Sequence, residues 1–184
     1  MKPLALALLL CVGWAAPVAA DDVLRNGNFA DGLSHWNGDC RSPNATDAGT
    51  ASGASVELQR DWTKFTQIFD APKGHYVVSI TFTFAPDTAF SADEKDYRKV
   101  PEHLGYTALK KFRIKRGDFC FIVTDTAAGK FVYCGVKPTS NDSTSQTVRG
   151  QLDLDANADQ QTFCVAFPPG HGVITVQNVS MTSQ

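Results

Sequence analysis

Apolar and polar residues alternate with a period of two through most of this chain, and no long stretch keeps a helical period. Successive side chains of a strand point to opposite faces, so this alternation predicts half-buried β-strands. The clearest predicted strand is HYVVSITFTF, whose apolar face comprises Tyr76, Val78, Ile80, Phe82 and Phe84. The other predicted strands are DFCFIVT, FCVAF, SVELQ, KFTQIFD, KFVYCGV, TVRGQLDL and GVITVQNVSM. Many short strands separated by Gly and Pro turns indicate an all-β sandwich of antiparallel sheets.

One long connection interrupts the alternation. Residues 85–106, APDTAFSADEKDYRKVPEHLGY, mix both charges around Tyr97. A connection of this length inside a compact domain is typical of functional or mobile loops. We expect at most a short helix near residues 93–99, ending before Pro101 because the residue before a proline avoids helical geometry.

Residues 1–20 have the pattern of a signal peptide. Lys2 precedes the apolar run 4–12, and small residues lead to the polar Asp21. The run is shorter than the roughly 20 apolar residues of a membrane span. We therefore expect cleavage after Ala20 and a protein that is secreted, extracellular or periplasmic. Residues 21–184 then form a single domain.

The expected mature chain is mildly acidic. It carries 16 basic and 19 acidic residues once Lys2 is removed. Nucleic-acid binding normally requires a strongly basic surface, so this balance argues against that class of partner. No apolar segment after residue 20 is long enough to span a bilayer, so we expect no membrane span.

Four cysteines remain in the expected mature chain: Cys40, Cys120, Cys134 and Cys164. An even count in an oxidising compartment favours disulfides over a metal site or free thiols, and no CxxC spacing supports zinc. Folding DFCFIVTDTAAGKFVYC as a hairpin centred on Ala127 places Cys120 opposite Cys134, where disulfide geometry can be met. The spacing thus predicts a Cys120–Cys134 bond and, by elimination, a Cys40–Cys164 bond.

The segment NGNFADGLSHW at residues 26–36, followed by WTKFTQIFDAPKGHYVVSITFTF and closing on GVITVQNVSM, resembles the galactose-binding-like jelly-roll superfamily. It is most similar to the non-catalytic carbohydrate-binding modules that begin with an Asn-Gly-x-Phe segment leading to a Trp. The resemblance implies a jelly-roll β-sandwich in which the first strand lies near the last. Within such a fold we expect Gly27 and Gly32 to form tight turns, and Phe29 and Trp36 to fill the interior rather than contact a ligand.

The resemblance also implies a structural calcium near the joined chain ends, where Asp22 and Asp47 could supply oxygen ligands. This sequence departs from the family pattern, because Ala30 stands at the acidic position after Phe29 and Gln177-Asn178 replace an aspartate in the last strand. Calcium needs six or more oxygen ligands. We therefore expect no cofactor.

No catalytic motif is recognisable. The four histidines are scattered singly, and neither GxSxG nor HExxH occurs. Asp93, Glu94 and Asp96 could in principle pair as glycosidase carboxylates, but the neighbouring cations favour a solvated loop. We expect a protein that is not an enzyme.

Sugar binding uses aromatic rings whose apolar faces stack on pyranose rings. Trp62, in the polar setting LQRDWTKF, is the best-placed candidate, although a Trp at this point of related modules often packs inside the fold. Tyr97 and Tyr106 lie on the long loop and are the next candidates. In LKKFRIKRGD the residues Lys111, Arg113 and Lys115 share one face of a predicted strand. Such a row suits an acidic polymer, or it protects a sheet edge from aggregation.

Two functions fit these features best. The first is a secreted module that binds a polysaccharide or cell-surface glycan, with acidic polysaccharides as candidate ligands. The alternative is an envelope or matrix module that binds a surface protein and no sugar, because a fold does not fix a function. A hydrolase or lyase ranks third, for want of an acid–base pair.

Overall fold

The computed structural model describes residues 21–38, 40–41, 53–91, 117–125 and 130–184, and the backbone alone at 40–41, 124–125 and 130–131. Strands dominate these residues, which contain no helix. The strands are β1 (Asn37–Gly38), β2 (Cys40–Arg41), β3 (Ala54–Glu57), β4 (Thr63–Ala71), β5 (Gly74–Phe84), β6 (Ala89–Phe90), β7 (Phe119–Asp125), β8 (Lys130–Val136), β9 (Gln146–Leu154), β10 (Ala158–Phe167), β11 (Gly170–His171) and β12 (Val173–Ser183). The part of the chain so described includes no helix long and apolar enough to cross a membrane.

Two five-stranded antiparallel sheets pack face to face. The front sheet has the order β1-β4-β10-β7-β8, and the back sheet has the order β2-β3-β12-β5-β9. A short β11-β6 pair lies outside both sheets. The predicted all-β sandwich of antiparallel sheets is therefore confirmed, and each predicted strand overlaps an observed one.

The core lies between the inner faces of the two sheets. In β5 every second residue from Tyr76 to Phe84 is buried, as the alternation predicts. Phe163, Val165 and Phe167 of β10 face the core from the front sheet, where the rings of Phe65 and Phe167 stack with centroids 5.9 Å apart. Burying such side chains contributes about 1.5–3 kcal/mol each to folding, so the inward rows of both sheets stabilise the sandwich.

The segment 24–36 is scaffold, as expected from the resemblance. Phe29 and Trp36 are buried in the core, and the indole N–H of Trp36 donates to the backbone oxygen of Asn26 at 3.0 Å. The Asn26 side chain donates to the carbonyls of Gly32 and Ser34, and accepts from the Asp31 amide. This one amide thereby closes the loop around the buried Trp36.

The first and last described segments meet on the back sheet. Asp22 bridges to Thr182, and the Val23 amide donates to the Met181 carbonyl at 2.9 Å. The Asp22 carboxylate accepts from the backbone amides of Leu24 and Met181, both at 3.0 Å. Desolvation raises the pKa of Asp22 and outweighs the lowering effect of these two hydrogen bonds.

Asp22 does not belong to a recognisable calcium site. Among the described residues no group of three or more His, Cys, Asp or Glu side chains is placed to hold a metal ion. One Asp22 oxygen is already occupied by two amides, and Asp47 lies outside the described residues. The described residues alone thus do not assemble the six or more oxygen ligands that calcium requires, and the expectation of no cofactor stays a prediction.

The predicted bond between Cys120 and Cys134 is wrong. In the β7–β8 hairpin Cys120 pairs with Gly135, and Cys134 pairs with Phe121, one residue away from the predicted register. A shift of one residue reverses the face of every side chain. Cys120 therefore faces outward, whereas Cys134 packs against the core, and neither forms a disulfide in the structure.

The predicted bond between Cys40 and Cys164 is not supported either. Cys40 begins β2 of the back sheet, where it pairs with Val56. Cys164 belongs to β10 of the front sheet, and its side chain is buried on the outer face of that sheet. The two cysteines thus belong to different sheets, and the alternation of β10 turns Cys164 away from the back sheet.

Candidate functional site

The outer face of the front sheet carries a second buried cluster, separate from the core. The alternation that turns Phe65, Phe121 and Phe163 inward turns the residues between them outward. The outer cluster consists of Trp62, Cys120, Ile122, Cys164 and Ala166, with Tyr133 packed against it. Strands β7 and β10 are therefore buried on both faces.

Cys120 and Tyr133 are the polar pair of the outer cluster. The Cys120 sulfur lies 3.5 Å from the Tyr133 hydroxyl. Burial is the main cause that raises the pKa of Cys120 to about 12, and it also raises the pKa of Tyr133. Both groups are neutral at physiological pH, so the outer cluster offers neither a thiolate nucleophile nor a phenolate base.

Trp62 is the residue of the outer cluster with an unsatisfied polar atom. It stands immediately before β4, and its backbone amide donates to its neighbour Asp61. Only 6% of Trp62 is exposed, and its indole Nε1 is buried without a hydrogen-bond partner among the described residues. Leaving a buried donor unpaired costs about 1–3 kcal/mol, and because this nitrogen is inaccessible a ligand hydroxyl could reach it only after the groups that cover it move.

The other predicted contacts cannot be placed beside Trp62. Tyr97, Tyr106, Lys111, Arg113 and Lys115 lie outside the described residues, as does the predicted short helix near 93–99. These assignments stay predictions. The prediction for Trp62 also stays open, although its ring is packed in the outer cluster rather than displayed to solvent.

Sequence reasoning missed a pocket at the far end of the same outer face. The edge pocket has a volume of about 330 Å³ and lies where the N-terminal segment meets β4 and β10. It is lined by Val23, Arg25, His35, Asn37, Ile68, Phe69, Asp70 and Gln160. Among the described residues, the large hydrophobic side chain that is exposed is Ile68, with 49% of its surface accessible to solvent. The sequence feature that could have indicated this pocket is an isoleucine at an outward position of the strand, between Thr66 and Asp70.

A histidine–carboxylate pair lies on the back sheet. Nδ1 of His75 is 2.7 Å from Oδ1 of Asp153, its cross-strand neighbour on β9. Both side chains are mostly exposed, and an exposed pair of this kind contributes about 0–1 kcal/mol to stability. Among the described residues no serine or cysteine hydrogen-bonds to this imidazole, so the pair does not extend into a catalytic triad.

No protein-family model matches this chain, and no curated protein matches it. Solved structures do match. The CBM22-1 xylan-binding domain from Paenibacillus barcinonensis Xyn10C is 11% identical, with a TM-score of 0.57 over 91% of this chain and 97% of that domain. The family 16 carbohydrate-binding module 2 is 13% identical, with a TM-score of 0.53 over 88% of this chain and 100% of its own length.

A third match is the C-terminal family 22 carbohydrate-binding module of Clostridium thermocellum Xyn10B, a protein whose cleft has been studied for ligand binding. It is 11% identical, with a TM-score of 0.54 over 85% of this chain and 90% of that module. Identities this low establish the fold and not the ligand. The jelly-roll fold expected from the resemblance is confirmed, with matches that cover 85–91% of this chain.

Proposed function

We propose that this chain is a secreted, non-catalytic module that binds glycans on the outer face of the front sheet. The observation that carries the proposal is the unpaired, buried indole N–H of Trp62 within the outer cluster. The fold shared with carbohydrate-binding modules supports the ligand class.

Sugars combine apolar ring faces with hydroxyl groups, and a site for them needs both apolar surface and hydrogen-bonding groups. Ile122 and Ala166 of the outer cluster pack beside the Trp62 indole but are only 2% and 1% exposed, so the apolar surface for stacking has to come from the rings of Tyr97 and Tyr106. Cys120 and Tyr133 are held neutral by burial, which favours binding over bond cleavage. A ligand hydroxyl that reaches Nε1 of Trp62 would recover the cost of the unpaired donor.

The proposed ligand is an acidic polysaccharide. Lys111, Arg113 and Lys115 alternate in the sequence LKKFRIKRGD and would form a cationic row on a strand. Tyr97 and Tyr106 would supply further rings for stacking. Binding through such a row weakens as salt is raised, because added ions screen exposed charges.

The test uses residues 21–184 in retention assays against xylan, galactan and polygalacturonate. Trp62→Phe keeps an aromatic ring but removes the N–H, and we expect it to weaken binding about tenfold, the value of one hydrogen bond of about 1.4 kcal/mol. Trp36→Phe is the matched control, because that indole N–H is used inside the scaffold.

Each outcome decides one part of the proposal. Retention on polygalacturonate that falls with salt and with Lys111→Gln, Arg113→Gln and Lys115→Gln supports the acidic ligand. Equal loss in the Trp62→Phe and Trp36→Phe variants, at matched folded fractions, contradicts the role of Trp62. Failure to bind any polysaccharide contradicts glycan binding and favours the alternative of a surface-protein partner.

Secretion is tested separately. Expression of the full chain in a secreting host should yield an exported protein whose N-terminal residue is Asp21. A retained protein that still begins at Met1 would contradict the proposed localisation.

A further inference from the structure

The edge pocket and the Trp62 site lie at opposite ends of one strand. Trp62 precedes β4, whereas Ile68 and Asp70 stand near its end. At about 3.3 Å per residue, six residues separate Trp62 from Ile68 by about 20 Å. A small ligand in the edge pocket therefore cannot touch Trp62, and the two sites can be tested independently.

The edge pocket is built from backbone held in place on both sides. On one side the buried Gln67 amide accepts from the Arg25 N–H at 2.7 Å and donates to the Arg25 carbonyl at 2.8 Å. On the other side Gln160, at an irregularity in the β4–β10 register, adopts a left-handed φ of 50°. Its backbone N–H donates to Asp70 at 2.7 Å, and its side-chain amide donates to the same carboxylate. The walls are thus fixed before any ligand arrives, which lowers the entropic cost of binding.

Several polar side chains of the edge pocket remain available to a ligand. The side chains of Arg25, His35 and Asn37 make no hydrogen bond within the part of the chain that the structure describes. His35 itself has a φ of 72°, a conformation that non-glycine residues rarely adopt and that is concentrated at functional sites. The pocket also displays Ile68, so apolar surface stands beside donors and acceptors.

The charges of the edge pocket balance. Arg25 is a full cation, and hydrogen bonds from Gln160 are the main cause that lowers the pKa of the exposed Asp70. An anionic ligand would meet the Asp70 carboxylate, and a cationic ligand would meet the Arg25 guanidinium. A neutral molecule with several hydroxyl groups can donate to Asp70 and accept from Arg25 and Asn37 at once.

We propose that the edge pocket binds a single neutral sugar residue, with Ile68 against its apolar face and Arg25, Asn37 and Asp70 on its hydroxyl groups. The volume of about 330 Å³ lies within the range of about 300–1,000 Å³ typical of small-molecule sites. This site is separate from the proposed polysaccharide face and does not depend on it.

The test follows the side-chain amide signals of Asn37 and Gln160 by NMR in residues 21–184. Glucose, galactose, mannose and xylose are titrated one by one, and sodium galacturonate serves as the charged counterpart of galactose. We expect at least one neutral sugar to shift both signals saturably at millimolar concentration. Galacturonate should bind more weakly than galactose, because it brings a carboxylate towards Asp70.

Variants of two pocket residues localise the effect. Asn37→Ala and Ile68→Ser alter exposed side chains and should raise the Kd of the bound sugar at least fivefold. Gln151→Ala, an exposed change on β9 of the back sheet, is the matched control and should leave the Kd unchanged.

Three results would overturn the proposal: no shift of either amide with any of the four sugars, tighter binding of galacturonate than of galactose, or an unchanged Kd in Asn37→Ala and Ile68→Ser. Because the readout is local to the pocket, none of these results bears on retention by polysaccharides at Trp62.

Discussion

Two tryptophans of this protein are buried almost equally but are used differently. Trp36 is 5% exposed and Trp62 is 6% exposed. The Trp36 ring packs among Phe29, Phe65 and Phe163, and its N–H is bonded to Asn26. The Trp62 N–H has no partner among the described residues. The exposed fraction of a tryptophan therefore does not distinguish a scaffold residue from a candidate site residue. The presence or absence of a hydrogen-bond partner for its indole N–H does.

The largest expected difference in stability is between glycine substitutions in the Trp36 loop and at the outer face of the front sheet. A Cβ on Gly27, beside the Trp36 loop, would stand 2.0 Å from the Val179 backbone oxygen, whereas a Cβ on Gly135, at the outer face, would meet the Tyr133 hydroxyl at 2.9 Å. Backbone of a central strand cannot move aside, but a side-chain tip can. We expect Gly27→Ala to lower the free energy of unfolding by more than about 4 kcal/mol and Gly135→Ala by less than about 2 kcal/mol.

Chemical denaturation measures both changes. Gly74→Ala, where the new Cβ would meet the Tyr76 ring at an ordinary 3.6 Å, is the control. Equal stability of the Gly27 and Gly135 variants would contradict the contrast.

The next contrast is in thiol reactivity. With a pKa of about 12, Cys120 in the outer cluster holds about a thousandfold less thiolate at pH 8 than an unfolded cysteine with a pKa near 8.5. We therefore expect native Cys120 to resist iodoacetamide, and the denatured chain to react fully. Peptide mapping of alkylated samples reads out both states. Rapid native alkylation of Cys120, or a peptide pair joined between Cys120 and Cys134, would contradict the structure.

Substituting the two tryptophans should give a smaller difference in the free energy of unfolding. Trp36→Phe leaves the Asn26 carbonyl without its indole donor, whereas Trp62→Phe removes a donor that had no described partner. The loss of volume is the same in both variants, so their difference isolates the hydrogen bond. We expect Trp36→Phe to be less stable than Trp62→Phe by about 1–3 kcal/mol in denaturant unfolding. A reversed order would show that the Trp62 N–H has a partner in solution.

The smallest effect is the pH dependence that Asp22 contributes. Because desolvation raises the folded pKa above the usual value of 3.8, this carboxyl favours folding fully below pH 3.8, and that contribution is lost as the pH rises through the folded pKa. Asp22→Asn keeps an oxygen acceptor without the charge. We expect its thermal midpoint to match the wild type at pH 3 and to exceed it at pH 6, with Asp21→Asn as the charge control. A variant that loses stability at pH 6 would contradict this sign.

The alternation of apolar and polar residues predicted the strands, because a strand with one buried face places every second side chain in the core. The bounds of β4, β5, β7, β8, β9 and β12 were predicted to within two residues, and most of these strands have one inward face of apolar side chains. β7 and β10 carry the less regular runs FCFIV and FCVAF, which are typical of strands buried on both faces. Such runs predict burial of the outward residues as well, and hence the outer cluster. The sequence-based prediction placed only the inward residues of these strands in the interior.

The candidate sites were less accessible to sequence reasoning. A hairpin centred on Ala127 predicts a β7–β8 register that differs from the observed one by one residue. Because a shift of one residue reverses the face of each side chain, Cys134 points inward and not towards Cys120. The edge pocket joins Arg25, Ile68 and Gln160, which are far apart in sequence and are brought together by the pairing of β4 with β10. The irregular register at Gln160 leaves no recognisable pattern in the chain.

The meeting of residues 22–23 with residues 181–182 on the back sheet has a consequence for engineering. A short linker could join Asp21 to Gln184 while new ends are opened between Asn141 and Asp142, in the exposed connection before β9. Such a circular permutant would retain every strand pair of both sheets, because the chain order changes but the neighbours do not. It would also allow the module to be inserted as a cassette into a loop of another protein.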